Sequence, residues 1–105
     1  MSLAQRRILA YFRYLARSDS PLRLEEFYDR PRAEGIHFTQ KMYSAVLYGT
    51  SHGVLHTDFV NRVLVDMTAE GYILVAEDYK CLIRAAYRRR DLQSGLRNFR
   101  ALEIT

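Results

Sequence analysis

The sequence holds one cysteine, no tryptophan and no long apolar run. With Cys81 alone, an intramolecular disulfide is excluded. Its neighbours Leu82 and Ile83 predict a buried thiol that behaves as a small hydrophobe and is blunted as a nucleophile. No stretch approaches the ~20 apolar residues that span a bilayer. Residues 1–7 open a helical pattern and lack a signal-peptide cleavage site. The expectation is a cytoplasmic chain with no membrane association. Catalytic signatures are missing as well, with no nucleophile elbow, P-loop or dinucleotide-binding glycine pattern. His52 and His56 are four apart, but no Cys pair or His-Glu-x-x-His spacing joins them to His37, Asp58 or Cys81 in a zinc site. The chain therefore reads as non-enzymatic, without metal or cofactor.

The 105 residues are 49% hydrophobic, with eight Tyr and five Phe, which suffices for one core. One domain spanning residues 1–105 is expected. The net charge of +4 conceals a segregation along the chain. Residues 1–17 carry four Arg and no acid, residues 18–78 carry five basic and ten acidic groups, and residues 79–105 carry seven basic and two acidic groups. Both basic ends folded onto one face would make a field suited to a polyanion. The alternative is a set of solvated helix faces.

Residues 3–17 read as a helix, with Leu3, Ile8, Tyr11, Phe12 and Leu15 at helical spacing. Ser18-Asp19-Ser20-Pro21 stops it. Leu22-Arg23-Leu24 suggests a short strand, and residues 25–34 a second helix that Pro31 breaks or kinks. Thr39 caps a third helix, ended by Gly49 and a turn through Gly53. Thr57 caps a fourth, residues 57–70, with Phe59, Val60, Val63, Leu64 and Met67 as its stripe and Gly71 as its left-handed stop. Tyr72 to Ala76 is rich in strand-forming types, and Cys81, Ile83, Ala85 and Tyr87 alternate after a Glu77-Asp78 turn. This predicts a β-hairpin. A helix capped by Asp78 and running from 79 to about 93 is the rival. Residues 88–102 suggest a basic helix interrupted at Ser94-Gly95. The chain reads as having no internal repeats and no low-complexity linker.

Gly53-Val54, Val60-Asn61-Arg62-Val63-Leu64, Met67 and Gly71-Tyr72-Ile73 resemble the recognition helix and first wing strand of MarR-type winged-helix regulators. The resemblance covers residues 53–73. It implies a mainly α fold with a small β-hairpin, a winged-helix-like single domain. It also implies that helix 57–70 enters the major groove of double-stranded DNA through His56, Thr57, Asn61 and Arg62. Lys80, Arg84, Arg88, Arg89 and Arg90 would then contact phosphates. The leading expectation is a DNA-binding transcriptional regulator. It would act as a homodimer, joined through Leu92, Leu96, Phe99 and Leu102 or through Tyr11 and Phe12. The acidic Glu77-Asp78 tip keeps open a protein-binding adaptor, assembly subunit or small inhibitor. Single-strand binding on Tyr79, Arg84, Tyr87 and Arg88 is a third reading.

Overall fold

Most helices begin where side chains satisfy the first free amides. A computed structural model describes residues 1–18, 22–51 and 56–104. Helix α1 (Leu3–Ala16) follows Ser2, whose hydroxyl accepts from the Gln5 amide at 3.1 Å while Gln5 Oε1 accepts from the Ser2 amide at 2.8 Å. Helix α2 is Leu22–Ala33, with Pro31 in its last turn. Thr39 caps α3 (Gln40–Thr50) through the Met42 amide. His56 precedes α4 (Thr57–Ala69), so Thr57 is its first helical residue and not its cap. Asp78 accepts from the Val75 amide at 3.1 Å to begin α5 (Ala76–Arg88). Asp91 accepts from the amide and hydroxyl of Ser94 to begin α6 (Leu92–Ile104). The stop expected at 18–21 and the turn at 49–53 lie partly outside the described residues, and Gly53-Val54 lies wholly outside them.

Among the described residues no strand forms, so the expected β-hairpin and its wing are not present. Leu22-Arg23-Leu24 is the first turn of α2, and residues 72–75 are an unpaired connection. The segment read as the second wing strand is α5. Its buried residues, Asp78, Cys81, Leu82, Ala85 and Ala86, recur at i, i+3, i+4, i+7 and i+8. Strand alternation would instead bury Tyr87, which is exposed. Helix α5 ends in a turn where Arg90 takes φ 56, and α6 runs unbroken through Ser94-Gly95. Gly49 does not end α3 either. A Cβ there would lie 2.7 Å from Leu24 Cδ2 and 3.5 Å from Ala16, so this glycine lets α1, α2 and α3 approach closely.

Among the described residues, six helices form three hairpins related by a repeat that is not evident in the sequence alone. Ala33-Glu34-Gly35 recurs as Ala69-Glu70-Gly71, and both glycines have positive φ, +80 and +83. The Ile36 amide bonds to the Pro31 carbonyl as the Tyr72 amide bonds to that of Met67. On the first helix of each hairpin the inward positions correspond: Ile8, Leu9, Phe12, Leu15 and Ala16 on α1 match Met42, Tyr43, Val46, Gly49 and Thr50 on α3. On α5 the same pattern falls on Asp78, Tyr79, Leu82, Ala85 and Ala86. Helices α1, α3 and α5 lie side by side in one layer, each carrying its partner α2, α4 or α6 in the other. The short dimension of 19 Å is two helix layers. This is the architecture of a short helical-repeat array.

Aromatic rings fill the joint between the first two hairpins. Phe12, Phe38, Tyr28 and Phe59 pack edge to face at centroid distances of 5.2–5.4 Å. The fully buried Tyr28 donates its hydroxyl to Asp66 at 2.7 Å, and Arg32 donates to Tyr43 at 2.9 Å while lying 3.5 Å from Asp66. Burial, and then the Asp66 carboxylate, raise the Tyr28 pKa, so the phenol stays a donor at any ordinary pH. Tyr28→Phe should cost about 1–3 kcal/mol in chemical denaturation, because it leaves Asp66 short of a donor. A loss below about 0.5 kcal/mol would show that water replaces it.

Helix α6 is held differently. Of its residues only Gly95 is buried, and its neighbour on α5 is Ala86. The Asp91 cap is held below the usual carboxylate range by the Ser94 hydrogen bonds, with the Arg89 and Arg97 charges adding to this. A depressed carboxylate stabilises above its unfolded pKa, and the effect is lost as pH falls through the lower folded value. On acidification below about pH 4, amides of α6 should lose hydrogen-exchange protection before those of α3. Simultaneous loss in both helices would remove this assignment.

Candidate functional site

The surface expected to meet DNA is largely neutralised by α2. His56 Nδ1 lies 2.9 Å from Glu25 Oε2. Arg62 is paired with Asp29 and its guanidinium sits 5.3 Å from the Tyr28 ring centroid. Thr57 and Asn61 are exposed on α4. Two of the four groove-facing candidates are thus bound to carboxylates that charge counting along the chain could not place. Lys80 pairs with Glu77 at 3.2 Å, and Arg84, Arg88 and Arg90 are exposed along α5 and its end, with Arg89 half-buried. His52, weighed as a zinc ligand, lies outside the described residues.

A second surface carries no signature in the sequence. Arg13 of α1 and Arg17 just after it, Lys41, Ala45 and Tyr48 of α3, and Glu77 and Cys81 of α5 line an open groove across the first layer, with a volume of about 570 Å³. The repeat explains its composition. Ala45 and Cys81 hold corresponding positions on α3 and α5 and make an apolar floor. Tyr14, Tyr48 and Arg84 are likewise corresponding and exposed, forming a row across the three helices. Tyr14 also stacks on Tyr11, with centroids 6.2 Å apart. Arg84 is close enough to act electrostatically on the Cys81 thiol. The basic N-terminal segment lines the groove through Arg13 and Arg17, whereas α5 contributes Glu77 and Cys81 to the lining and carries Arg84 beside it.

The chain matches no family model, no curated protein and no solved structure. The groove must be read from its own chemistry. It offers three long-chain cations and the Glu77 carboxylate, the Tyr48 phenol ring and a small-residue floor. None of the lining residues is arranged as a nucleophile. Burial raises the Cys81 pKa more than the Arg84 charge and the Ser51 hydrogen bond lower it. At pH 8 Cys81 should react with a thiol reagent at least about tenfold more slowly than in the denatured chain. Equal rates would mean that the thiol is open and activated.

Proposed function

We propose that the chain is a non-enzymatic nucleic-acid-binding protein that takes a single strand along the grooved face of α1, α3 and α5. The observation that carries this reading is the gathering of Arg13, Arg17 and Lys41 around the exposed Tyr48 in one groove, with Tyr14 and Arg84 at corresponding exposed positions on the flanking helices. Neighbouring helices in a layer lie ~8–10 Å apart, so side chains at equivalent positions recur along the array. Arginine and lysine at the rim neutralise phosphates, and the phenol rings give bases a surface on which to stack. Helical-repeat arrays use such extended faces for extended ligands. The exposed arginines Arg84, Arg88 and Arg90 lengthen the same cationic track beyond the groove.

Anisotropy of labelled oligo-dT, oligo-U and duplex DNA over a range of salt tests the reading. The single strands should bind better than the duplex, with affinity falling as salt rises. Arg13→Ala or Arg84→Ala should flatten the logarithmic salt slope by about 0.7 for each phosphate no longer neutralised. Tyr48→Ala should weaken binding by about 1–3 kcal/mol, whereas Arg62→Ala should leave it unchanged. Preferred duplex binding that depends on Arg62 would return the site to α4. Capture of an acidic peptide, with no affinity for any oligonucleotide, would make the groove a protein-docking surface.

A further inference from the structure

Inside the array, each hairpin covers a face of the one before it. The hydroxyl of Ser51, at the end of α3, hydrogen-bonds the Cys81 side chain of α5, and Thr50 Oγ1 lies 3.4 Å from the Cys81 carbonyl oxygen. Ser51 is 6% exposed and Cys81 5%. The repeat carries Ser51 onto Tyr87 of α5, and Cys81 back onto Tyr11 of α1. These counterparts are 60% and 43% exposed. The last hairpin therefore presents an uncovered copy of the covered face, and the first presents an uncovered copy of its complement.

The second layer repeats this with charge. Two ion pairs join α2 to α4, Asp29 with Arg62 and Arg32 with Asp66. The buried positions Leu24, Val60 and Gly95 set the correspondence. Asp29 and Arg32 fall on Arg100 and Glu103 of α6, while Arg62 and Asp66 fall on Glu26 and Arg30 of α2. All four counterparts are exposed, and among the described residues they form no ion pair. If the open faces meet, the internal pairs recur with both signs reversed, Arg100 against Glu26 and Glu103 against Arg30. Phe99, exposed on α6, corresponds to Leu64 of α4, which packs against the core.

We propose that a second copy of this chain stacks head to tail on the open end, seating its α1 and α2 on α5 and α6. Tyr87 meets Tyr11 of the second copy, and Arg100 and Glu103 pair with its Glu26 and Arg30. The joint is heterologous, because each copy uses a different face, so association continues beyond a closed dimer as concentration rises. It repeats the joint between the first two hairpins, where α3 rests on α1 and ion pairs tie α4 to α2. The inference is independent of what the groove binds.

Sedimentation velocity of the 105-residue protein, from micromolar to about millimolar, reads the outcome. The wild type should show average mass rising steadily with concentration. R100E/E103R should remain monomeric over the range in which the wild type associates, and adding E26R/R30E in the same chain should restore association. Y87E and Y11E should each be monomeric alone but form a one-to-one complex when mixed, since each keeps one intact face. Circular dichroism confirms that each surface variant keeps its helices. A wild type monomeric throughout, or R100E/E103R associating like the wild type, overturns the proposal. So does a mixture of Y87E and Y11E that stays monomeric, and so does either variant associating alone, which would mean that like faces pair.

Discussion

A buried phenol with one acceptor within reach sets the geometry of this molecule. Tyr28 cannot donate to water from where it sits, so the hydroxyl must be met by Asp66. Asp66 then needs a compensating charge, which Arg32 supplies while also reaching Tyr43. One chain of polar groups thereby ties α2 to α4 and to α3. Rings of Phe12, Phe38 and Phe59 pack around it and make the alignment costly to change. The first layer inherits that alignment, because α1 and α3 each rest on one of the joined helices. The groove between α1, α3 and α5 is thus shaped from behind by polar groups that never touch its lining.

Much of the helical content is legible in the sequence because local signals agree with tertiary demand. Ser2, Thr39 and Gly71 stand where caps are needed, and the apolar stripe of α4 has helical spacing. Helix α5 reads as a strand for a physical reason. Cys81, Ile83, Ala85 and Tyr87 do alternate, and a short apolar run suits either period. What separates the two is which residues the neighbours bury, and α3 and α6 bury Leu82 and Ala86 as well. The small alanines then matter as close-approach points for α6 and not as weak strand residues. With the strand goes the wing, and with the wing goes half of the expected DNA-binding surface.

The repeat is illegible for a related reason, since it is written in burial more than in identity. At one corresponding position the three hairpins carry Leu15, Gly49 and Ala85; at another they carry Ile8, Met42 and Asp78. Each difference matches a local need. Gly49 admits Leu24, and Asp78 replaces apolar filling with a cap for its own helix. The one run of three that recurs is Ala-Glu-Gly, in the first two hairpins, because a left-handed residue that closes a helix tolerates little but glycine. The candidate site shows the same split between what is local and what is not. Charge blocks at both ends are plain in the sequence, and the structure brings Arg13, Arg17 and Cys81 to one groove. The pairing of Arg62 with Asp29 depends on helix packing between residues far apart in the chain and leaves no local trace.

Head-to-tail stacking and strand binding, where both operate, are coupled by electrostatics. Seating α1 of one copy on α5 of another brings two arginine-rich helices together, which opposes association. The Arg100–Glu26 and Glu103–Arg30 pairs in the second layer offset that repulsion only in part. A polyanion lying along the first layer neutralises the cations on both sides of the joint, and so acts where the repulsion is greatest. By reciprocity, whatever a strand contributes to stacking, stacking contributes to strand affinity. The helices of the second layer balance their charges, and there Glu25, Asp29 and Asp66 are engaged with His56, Arg62 and Arg32. The net positive charge of the helices thus falls on one layer, open to a partner, while the other balances its charges and ties α2 to α4 by internal pairs.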